Sequence, residues 1–270
     1  MPGVRLACAW HTHGNGGVTS RYSISPHEIT HSMHNPPTHR PVALITGASR
    51  GIGHAIALRL AGKHDLVLVS RSAGELEELA ARCRESGAQV HIIPADITNF
   101  LDIARLLTGL HVDVLVNNAG VATFKPFLEM TSEEWHRMVD VNVNALYHVT
   151  RAVLPGMVER GRGHVCIIGS MAGRNTFANG SAYAGTKHFV MGYAESLLME
   201  VREKGVGVSV IMPGSVETAL FREGTDTTWM LEPSDVADAV AYVVSTPPHV
   251  LVDRLEVRPI SPKRRRDSFS

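Results

Sequence analysis

The sequence predicts an α/β protein built as a single Rossmann-like, doubly wound parallel sheet with helices on both faces, and two observations carry this prediction. From Pro41 onward, short apolar segments alternate with helical segments, which is the pattern of a parallel sheet covered on both sides. The first apolar segment, 42–45, leads into a glycine turn followed by an apolar helical pattern. A strand, a glycine turn and a helix in this order place free N–H groups and a helix dipole at one spot, where an anion can bind.

Each element follows from the same periodicity. The predicted strands are 42–45, 66–69, 90–93, 112–116, 165–168, 206–211 and a short one at 255–257. The predicted helices are 75–86, 99–107, 144–159, 183–204 and 234–245. A further helix is predicted to begin at a capping box of Thr131 with Glu134 and to end before Asn142.

Composition excludes several classes of function. The 270 residues contain 26 basic and 26 acidic side chains, so charge gives no reason to expect nucleic acid or an anionic membrane as a partner. No apolar run is long enough to cross a bilayer. The three cysteines have neither disulfide nor metal-ligand spacing, and we interpret Cys83 and Cys166 as core residues. We therefore expect a soluble, cytoplasmic protein without a metal site.

The two ends differ from the domain predicted for residues 41–258. Residues 1–40 contain six histidines and one acidic residue, with no period that a helix or strand would show. A disordered leader is the simplest interpretation. A translation start at Met33 and an organellar transit peptide remain alternatives, and deletion of residues 1–32 should leave activity unchanged. Residues 259–270 form a basic tail that we interpret as a solvated end.

The glycine turn contains Gly47, Gly51 and Gly53, a G-x-x-x-G-x-G spacing. Side chains at these positions would keep a pyrophosphate away from the backbone, although a bare structural turn is the alternative. Ligands of open parallel sheets bind beyond the carboxyl ends of the strands. Small, polar or charged residues follow six strands: the glycine turn, Ser70-Arg71-Ser72, Asp96, Asn117-Asn118-Ala119-Gly120, Ser170 and Pro213-Gly214.

Tyr183 and Lys187 lie four residues apart and so share one face of a helix. A phenol titrates near pH 10, and a cation about 4 Å away could lower its pKa by about three units, to a value suited to proton transfer at neutral pH. We expect Lys187 to have this effect, together with a positively charged nicotinamide in the oxidation direction. Ser170, at a strand end, can hold a substrate oxygen beside the phenol.

These motifs resemble the short-chain dehydrogenase/reductase family over residues 41–257. The residues that carry the resemblance are the run Thr46 to Gly53, the run Asn117 to Gly120, Asn142 in Asp-Val-Asn-Val, Ser170 thirteen positions before Tyr183, and Lys187. The stretches 150–157 and 247–250 look like the branch of NADP-dependent 3-hydroxy acid (serine-type) dehydrogenases. The resemblance implies that Asn142, Ser170, Tyr183 and Lys187 are catalytic, with Lys187 also binding the nicotinamide ribose and Asn142 holding a water in a proton relay.

Charge indicates NADP as the cofactor. Where an NAD-specific site would hold an acid, the chain has Arg71, and Arg50 in the glycine turn adds a second cation for a 2′-phosphate. The resemblance places Asp96 and Ile97 at the adenine and Thr218 at the nicotinamide amide. The full predicted cofactor set is Gly47, Ser49, Arg50, Gly51, Ile52, Gly53, Arg71, Asp96, Ile97, Asn118, Ala119, Gly120, Tyr183, Lys187, Pro213, Gly214, Val216 and Thr218.

The substrate is less determined. Arg222 could meet a carboxylate or a phosphate, with a solvated arginine as the alternative, and the resemblance suggests Met171, Phe177 and Asn179 on the other side of the site. We expect an oxidoreductase that interconverts a carbonyl and a secondary alcohol, on a small hydroxy or keto acid or a related carbonyl compound. A 3-oxoacyl thioester reductase and a catalytically silent NADPH sensor are the alternatives, and a purely structural α/β domain would leave the polar strand ends unexplained. The family also implies a homodimer or homotetramer through the helices at 144–159 and 183–204.

Overall fold

The computed structural model describes residues 40–218 and 226–260. The leader up to residue 39, Met33 included, the segment 219–225 with Arg222, and the tail from residue 261 lie outside the described residues.

The described residues form a seven-stranded, all-parallel sheet with helices on both faces, as the sequence predicts. The strands are β1 Val42–Thr46, β2 Asp65–Ser70, β3 Val90–Pro94, β4 Val114–Asn117, β5 Gly163–Ile168, β6 Val206–Pro213 and β7 Arg254–Val257. The helices are α1 Gly51–Ala61, α2 Ala73–Glu85, α3 Phe100–Leu107, α4 Ser132–Val139, α5 Ala145–Arg160, α6 Ser181–Val201 and α7 Pro233–Val244.

The strand order is β3-β2-β1-β4-β5-β6-β7, so the chain reverses its direction of winding between β1 and β4. In open α/β sheets this switch point opens a crevice at the carboxyl ends of the strands. Helices α1, α2 and α7 cover one face, and α3, α5 and α6 cover the other. Each face therefore has its own apolar core. Leu68 and Ile56 lie in the first, and Leu115 and Val165 in the second.

The strands β1, β2, β4, β5 and β6 are largely buried on both faces, which is why they appear in the sequence as continuous apolar runs rather than as alternating ones. The edge strand β3 is partly exposed, with only Ile93 buried. Cys83 and Cys166 are buried in the first core, as expected. Burial raises the pKa of the Cys83 thiol to about 11 and that of Cys166 to about 12. Neither thiol is ionised at neutral pH, which fits packing residues.

The predicted helix break before Asn142 is wrong. Helix α4 begins with the expected capping box of Thr131 and Glu134, but it continues through a π turn at Asp140–Asn144 directly into α5. The wider turn keeps the backbone helical while it carries Asn142 into the interior, where the residue is 3% exposed. Strand β4 also starts two residues later than predicted, because the buried Val112 precedes the ladder rather than joining it.

No helix among residues 40–218 and 226–260 has the length and apolarity needed to cross a membrane. The same residues contain no group of three or more His, Cys, Asp or Glu side chains that could hold a metal ion.

Candidate active site

The turn between β1 and α1 brings backbone to backbone more closely than any side chain allows. Gly47 has φ +65°, and a Cβ on it would lie 2.9 Å from Cα of Ala119. A Cβ on Gly53 would lie 2.3 Å from the carbonyl oxygen of Gly47. The glycines therefore let α1 start directly against the turn, and its free N–H groups face the crevice.

Asn118 fastens the end of β4 to this turn. Its Nδ2 donates to the carbonyl oxygens of Thr46 and Gly47 at 2.9 and 3.1 Å. Thr46 Oγ1 accepts from the backbone N–H groups of Asn118 and Ala119, both at 3.1 Å. The side chain of Asn118 thus holds the two strand ends on either side of the switch point in a fixed relation.

A single long cleft runs across the carboxyl ends of the strands and contains most of the predicted site residues. Those that line it are Gly47, Ser49, Arg50, Gly51, Ile52, Arg71, Asp96, Ile97, Asn118, Ala119, Gly120, Ser170, Met171, Phe177, Tyr183, Lys187, Pro213, Gly214, Val216 and Thr218. Gly53 lies under the turn and supports it instead of facing the cleft.

The polar end of the cleft follows β2 and β3. Ser70 Oγ is buried without a hydrogen-bond partner among the described residues, and Arg71 beside it is exposed. Burial opposes ionisation of the Asp96 carboxyl, but hydrogen bonds from Thr98 and the nearby Arg71 outweigh it, so the pKa of Asp96 lies below its usual range. This end offers a cation, a free hydroxyl and an ionised carboxylate on adjacent strands.

Ser170 and Tyr183 meet at the other end. Ser170 Oγ accepts from the N–H of Ala172 at 3.1 Å, which fixes its rotamer at the start of the 3-10 turn Met171–Gly173. Burial raises the pKa of the Tyr183 phenol, and a hydrogen bond with Ser170 opposes this in part. The expectation that Lys187 lowers the pKa of the phenol is not met by the chain alone.

Lys187 explains this difference. It is 7% exposed, and its Nζ donates to the carbonyl oxygen of Ile168 at 3.0 Å, 5.9 Å from the centre of the Tyr183 ring. Burial lowers the pKa of Lys187 to about 8. The ammonium is thus close to the phenol without being bonded to it, and it has itself lost much of its preference for the charged form.

Asn142 lies beneath the cleft, next to Lys187. Its Nδ2 donates to the carbonyl oxygen of Val121 at 2.9 Å and to Thr186 Oγ1 at 3.1 Å. Its Oδ1 accepts from the N–H of Val121 at 2.9 Å. A small cavity lined by Asn142, Lys187 and Thr46 among others connects these groups. Asn142 therefore ties the loop after β4 to α6.

Two predicted substrate contacts have different outcomes. Phe177 lines the cleft, whereas Asn179 is not part of its lining. Asn179 has φ +66°, and its carbonyl oxygen accepts from the N–H of Lys125 at 2.9 Å, so it joins the loops after β4 and β5. Asn tolerates the left-handed region better than other side chains, which accounts for the residue at this position.

Phe124 and Arg137 are among the lining residues of the cleft that sequence reasoning missed. Phe124 lies edge-on to both Phe177 and Tyr183, with ring centres 5.6 and 5.3 Å apart. Arg137, on α4, also lines the cleft and lies close enough to Asp96 to favour its ionised form. Phe124 could have been noticed as an apolar residue a few positions after a polar strand end, but no pattern pointed to Arg137.

Comparison with known proteins agrees with this geometry. A family model described as short chain dehydrogenase matches residues 41–229. An NADP-dependent 3-hydroxy acid dehydrogenase of Escherichia coli K12 is 36% identical over 239 residues, which is 82% of this chain and 95% of that protein.

Solved structures give the same picture. The serine dehydrogenase of Escherichia coli superposes with a TM-score of 0.71 at 35% identity, covering 80% of this chain and 96% of that one. A metagenomic short-chain oxidoreductase in complex with NADP superposes with a TM-score of 0.73 at 34% identity, covering 82% of this chain and 98% of that one. The predicted likeness to the serine-type branch is confirmed. The chain belongs to the short-chain dehydrogenase/reductase family of oxidoreductases.

Proposed function

We propose that the protein is an NADP(H)-dependent oxidoreductase that interconverts a carbonyl and a secondary alcohol, with Tyr183 as the general acid/base. The observation that carries the proposal is the meeting of three groups at one end of the cleft. Ser170 is hydrogen-bonded to the Tyr183 phenol, and the buried Lys187 lies below the ring. The relatives named 3-hydroxy acid and serine dehydrogenase support a small hydroxy or keto acid, or a related carbonyl compound, as substrate.

The cleft fits a dinucleotide phosphate along its length. The cradle at Gly47 and Gly53 is one that a Cβ would fill, and the N-terminus of α1 faces it. At the far side, Ser70 Oγ lacks a partner among the described residues and Arg71 is exposed, which suits a 2′-phosphate. The relatives' NADP supports the same choice. A nicotinamide bound in this cleft would supply the hydride chemistry at the carbonyl carbon.

The proton chemistry of this chain favours reduction at neutral pH. Because burial raises the pKa of Tyr183, the phenol is protonated and can donate to the oxygen of a carbonyl undergoing reduction. Ser170 Oγ, fixed by the N–H of Ala172, can donate to the same oxygen and hold it beside the phenol. The phenol must then regain a proton from its surroundings.

Lys187 and Asn142 provide the route for that proton. The ammonium of Lys187, with a pKa of about 8, can give up a proton near neutral pH. Asn142 Oδ1 and Lys187 Nζ flank Gly120, from which a Cβ would lie 3.5 and 3.9 Å away. This space suits a water that relays the proton, and a side chain at Gly120 would fill it.

A substrate panel tests the proposal. We expect NADPH to be consumed with at least one member of a panel of β-keto esters, β-keto acids and diketones, and NADP to be reduced with the matching 3-hydroxy compounds. A 3-oxoacyl thioester belongs in the panel because it is the main alternative substrate. Tight NADPH binding by calorimetry without turnover on any member would instead favour a catalytically silent NADPH sensor.

We also propose self-association through α5 and α6. Tyr147 on α5 and Phe189 and Met199 on α6 are large apolar side chains that are 48%, 40% and 71% exposed. Exposed apolar side chains on neighbouring helices suit a self-complementary contact, as the family resemblance implies. Sedimentation of the purified chain at several concentrations distinguishes a monomer from a dimer or tetramer.

A further inference from the structure

The substrate end of the cleft has an aromatic wall. Phe124, from the loop after β4, and Phe177, from the loop after β5, lie at an interplanar angle of 61° with centres 5.6 Å apart. Phe124 is also edge-on to the Tyr183 ring, at 83° and 5.3 Å. Despite these contacts, Phe124 and Phe177 are 46% and 47% exposed, and both line the cleft.

The wall is held in place from behind. A Cβ on Gly180 would lie 2.4 Å from Cε2 of Phe177, so the ring packs directly against the backbone at the start of α6, where a side chain would displace it. The hydrogen bond from the N–H of Lys125 to the carbonyl oxygen of Asn179, 2.9 Å, joins the two loops next to the rings. The two phenylalanines therefore form a preorganised surface rather than two loose side chains, which reduces the entropy lost when a ligand binds.

Apart from Lys187, the described positive charges of the cleft lie away from the aromatic wall. The described cations of the cleft are Arg50 after β1, Arg71 after β2, Arg137 near Asp96, and Lys187. Strands β2 and β5 are three positions apart in the sheet, which corresponds to about 14 Å at the usual spacing between strands.

Lys187 is committed to the carbonyl of Ile168. Among the described residues that line the cleft, the loops after β4, β5 and β6 contribute no other cation, and they contribute one carboxylate, Glu217. Apart from Lys187, the described cations of the cleft therefore lie away from the aromatic wall, and Arg222 lies outside the described residues.

We infer that the preferred substrate carries an uncharged, flat apolar group, such as an aryl ring, next to its carbonyl, and that Phe124 and Phe177 select for it. The inference rests on the proposed function and narrows it. With the carbonyl oxygen at Ser170 and Tyr183, an aryl group lies against Phe124, where edge-to-face contacts with centres 4.5–7 Å apart are favourable. Phe124, which also contacts the ring of the general acid, is the main specificity-determining residue.

The test compares three substrates that differ in one group. Ethyl benzoylacetate is the aryl keto ester, ethyl acetoacetate is its methyl counterpart, and acetoacetate is the anionic keto acid. We expect kcat/KM with NADPH to be at least about tenfold higher for ethyl benzoylacetate than for ethyl acetoacetate, since one apolar group in a matched pocket changes kcat/KM by about 10- to 200-fold. Acetoacetate, which lacks the aryl ring, should also be a poorer substrate than ethyl benzoylacetate.

Variants then assign the preference to the wall. The aryl-to-methyl ratio is kcat/KM for ethyl benzoylacetate divided by kcat/KM for ethyl acetoacetate. Phe124→Ala should lower this ratio at least about tenfold, mainly by raising KM for ethyl benzoylacetate, and Phe124→Leu should lower it less. Gly180→Ala, which displaces the Phe177 ring, should lower the ratio too. Phe127→Ala is the matched control, because Phe127 is 69% exposed in the same loop and outside the cleft lining. It should leave the ratio within about twofold, and thermal melts confirm that each variant is folded.

The results separate this inference from the proposed function. A wild-type kcat/KM for ethyl acetoacetate equal to or above that for ethyl benzoylacetate, or a ratio unchanged in Phe124→Ala, overturns the inference and leaves the proposed function intact. If none of the three is turned over, calorimetric titration of the NADP-loaded protein with ethyl 3-hydroxy-3-phenylpropanoate decides. Binding that is weakened by Phe124→Ala supports the aromatic site, and no binding overturns the inference, while the wider substrate panel decides the proposed function separately.

Discussion

On the β1 side of the cleft the backbone itself makes the site, whereas on the β5 side the site consists of side chains from three distant segments. Gly47 and Gly53 leave room at the turn because they have no Cβ, so that the phosphates of a bound cofactor would contact the N–H groups at the start of α1. Ser170, Tyr183 and Asn142 instead work through a hydroxyl, a phenol and an amide, which come from the loop after β5, from α6 and from the π turn.

Because of this difference, we expect substitutions on the β1 side and on the β5 side of the cleft to have different effects. A side chain added to the glycine turn obstructs the backbone, so folding and cofactor binding change together. A polar atom removed from the β5 side changes the chemistry while leaving the cores described above intact, because those side chains lie at the edge of the sheet. The predictions below test this separation, from the largest expected effect to the smallest.

Tyr183→Phe should lower kcat by about 10²- to 10⁴-fold, the usual contribution of a general acid, with the Kd for NADPH changed by less than about threefold. The physical reason is that only the proton donor is lost. Stopped-flow turnover and calorimetric titration measure the two quantities. Tyr193→Phe is the control, since Tyr193 lies on the same helix outside the cleft lining. Residual activity above about a tenth of wild type would contradict the assignment of Tyr183.

Lys187→Met should stabilise the cofactor-free protein at pH 7. The pKa of Lys187 is about 8 in the folded protein and about 10.4 in the unfolded chain, so burial of the ammonium destabilises the wild type by about 3 kcal/mol. The substitution removes this penalty, but it leaves the carbonyl of Ile168 without its hydrogen bond, which costs about 1 kcal/mol. We therefore expect the free energy of unfolding to rise by about 2 kcal/mol. The same substitution should weaken NADPH binding and abolish most of the turnover.

The lowered pKa of Lys187 also determines how the free energy of unfolding changes with pH. Between pH 8 and about 10.4 the unfolded chain binds more protons at Lys187 than the folded chain, so wild-type stability from this group increases with pH across that window. Lys187→Met should lose the increase. Urea unfolding at pH 7, 8, 9 and 10 measures it, and parallel curves for the two proteins would show that Lys187 titrates normally in the fold.

Arg71→Asp should lower kcat/KM for NADPH by at least about tenfold, with NADH much less affected, because a charge-assisted hydrogen bond to a 2′-phosphate contributes about 1.5–3 kcal/mol. The loss should shrink as salt is raised. Arg202→Asp, an exposed change of equal charge at the opposite edge of the sheet, is the control. Equal use of NADH and NADPH by the wild type would refute the assignment, and an NADPH preference that survives Arg71→Asp would point to Arg50.

Asn179→Gly should have the smallest effect. The φ of +66° suits glycine, and the interaction with Lys125 uses only the backbone, so the free energy of unfolding should change by less than about 0.5 kcal/mol. The KM for ethyl acetoacetate should stay within about twofold of the wild-type value. Asn179→Ala should destabilise by about 1 kcal/mol, because its Cβ disfavours the left-handed region. A large KM effect of the glycine variant would return Asn179 to the substrate site.

The sequence by itself determined the parallel sheet, the glycine turn and the two ends of the cleft. Continuous apolar runs specify strands that are buried on both faces, and glycines at fixed spacing specify a close approach of backbone, so both follow from local chemistry. The polar strand ends belong together because parallel strands end at one edge of a sheet.

Only the tertiary structure decided how the side chains meet across that edge. The π turn that carries Asn142 inward has no local signal, since α4 and α5 are each ordinary helices in sequence. The commitment of Lys187 to Ile168 and the raised pKa of Tyr183 depend on burial between elements distant in the chain. The placement of Phe124 against Phe177 depends on two loops 53 positions apart along the chain and adjacent only because β4 pairs with β5. Packing, not local preference, sets these contacts, because each needs a partner that the sequence pattern of its own segment does not contain.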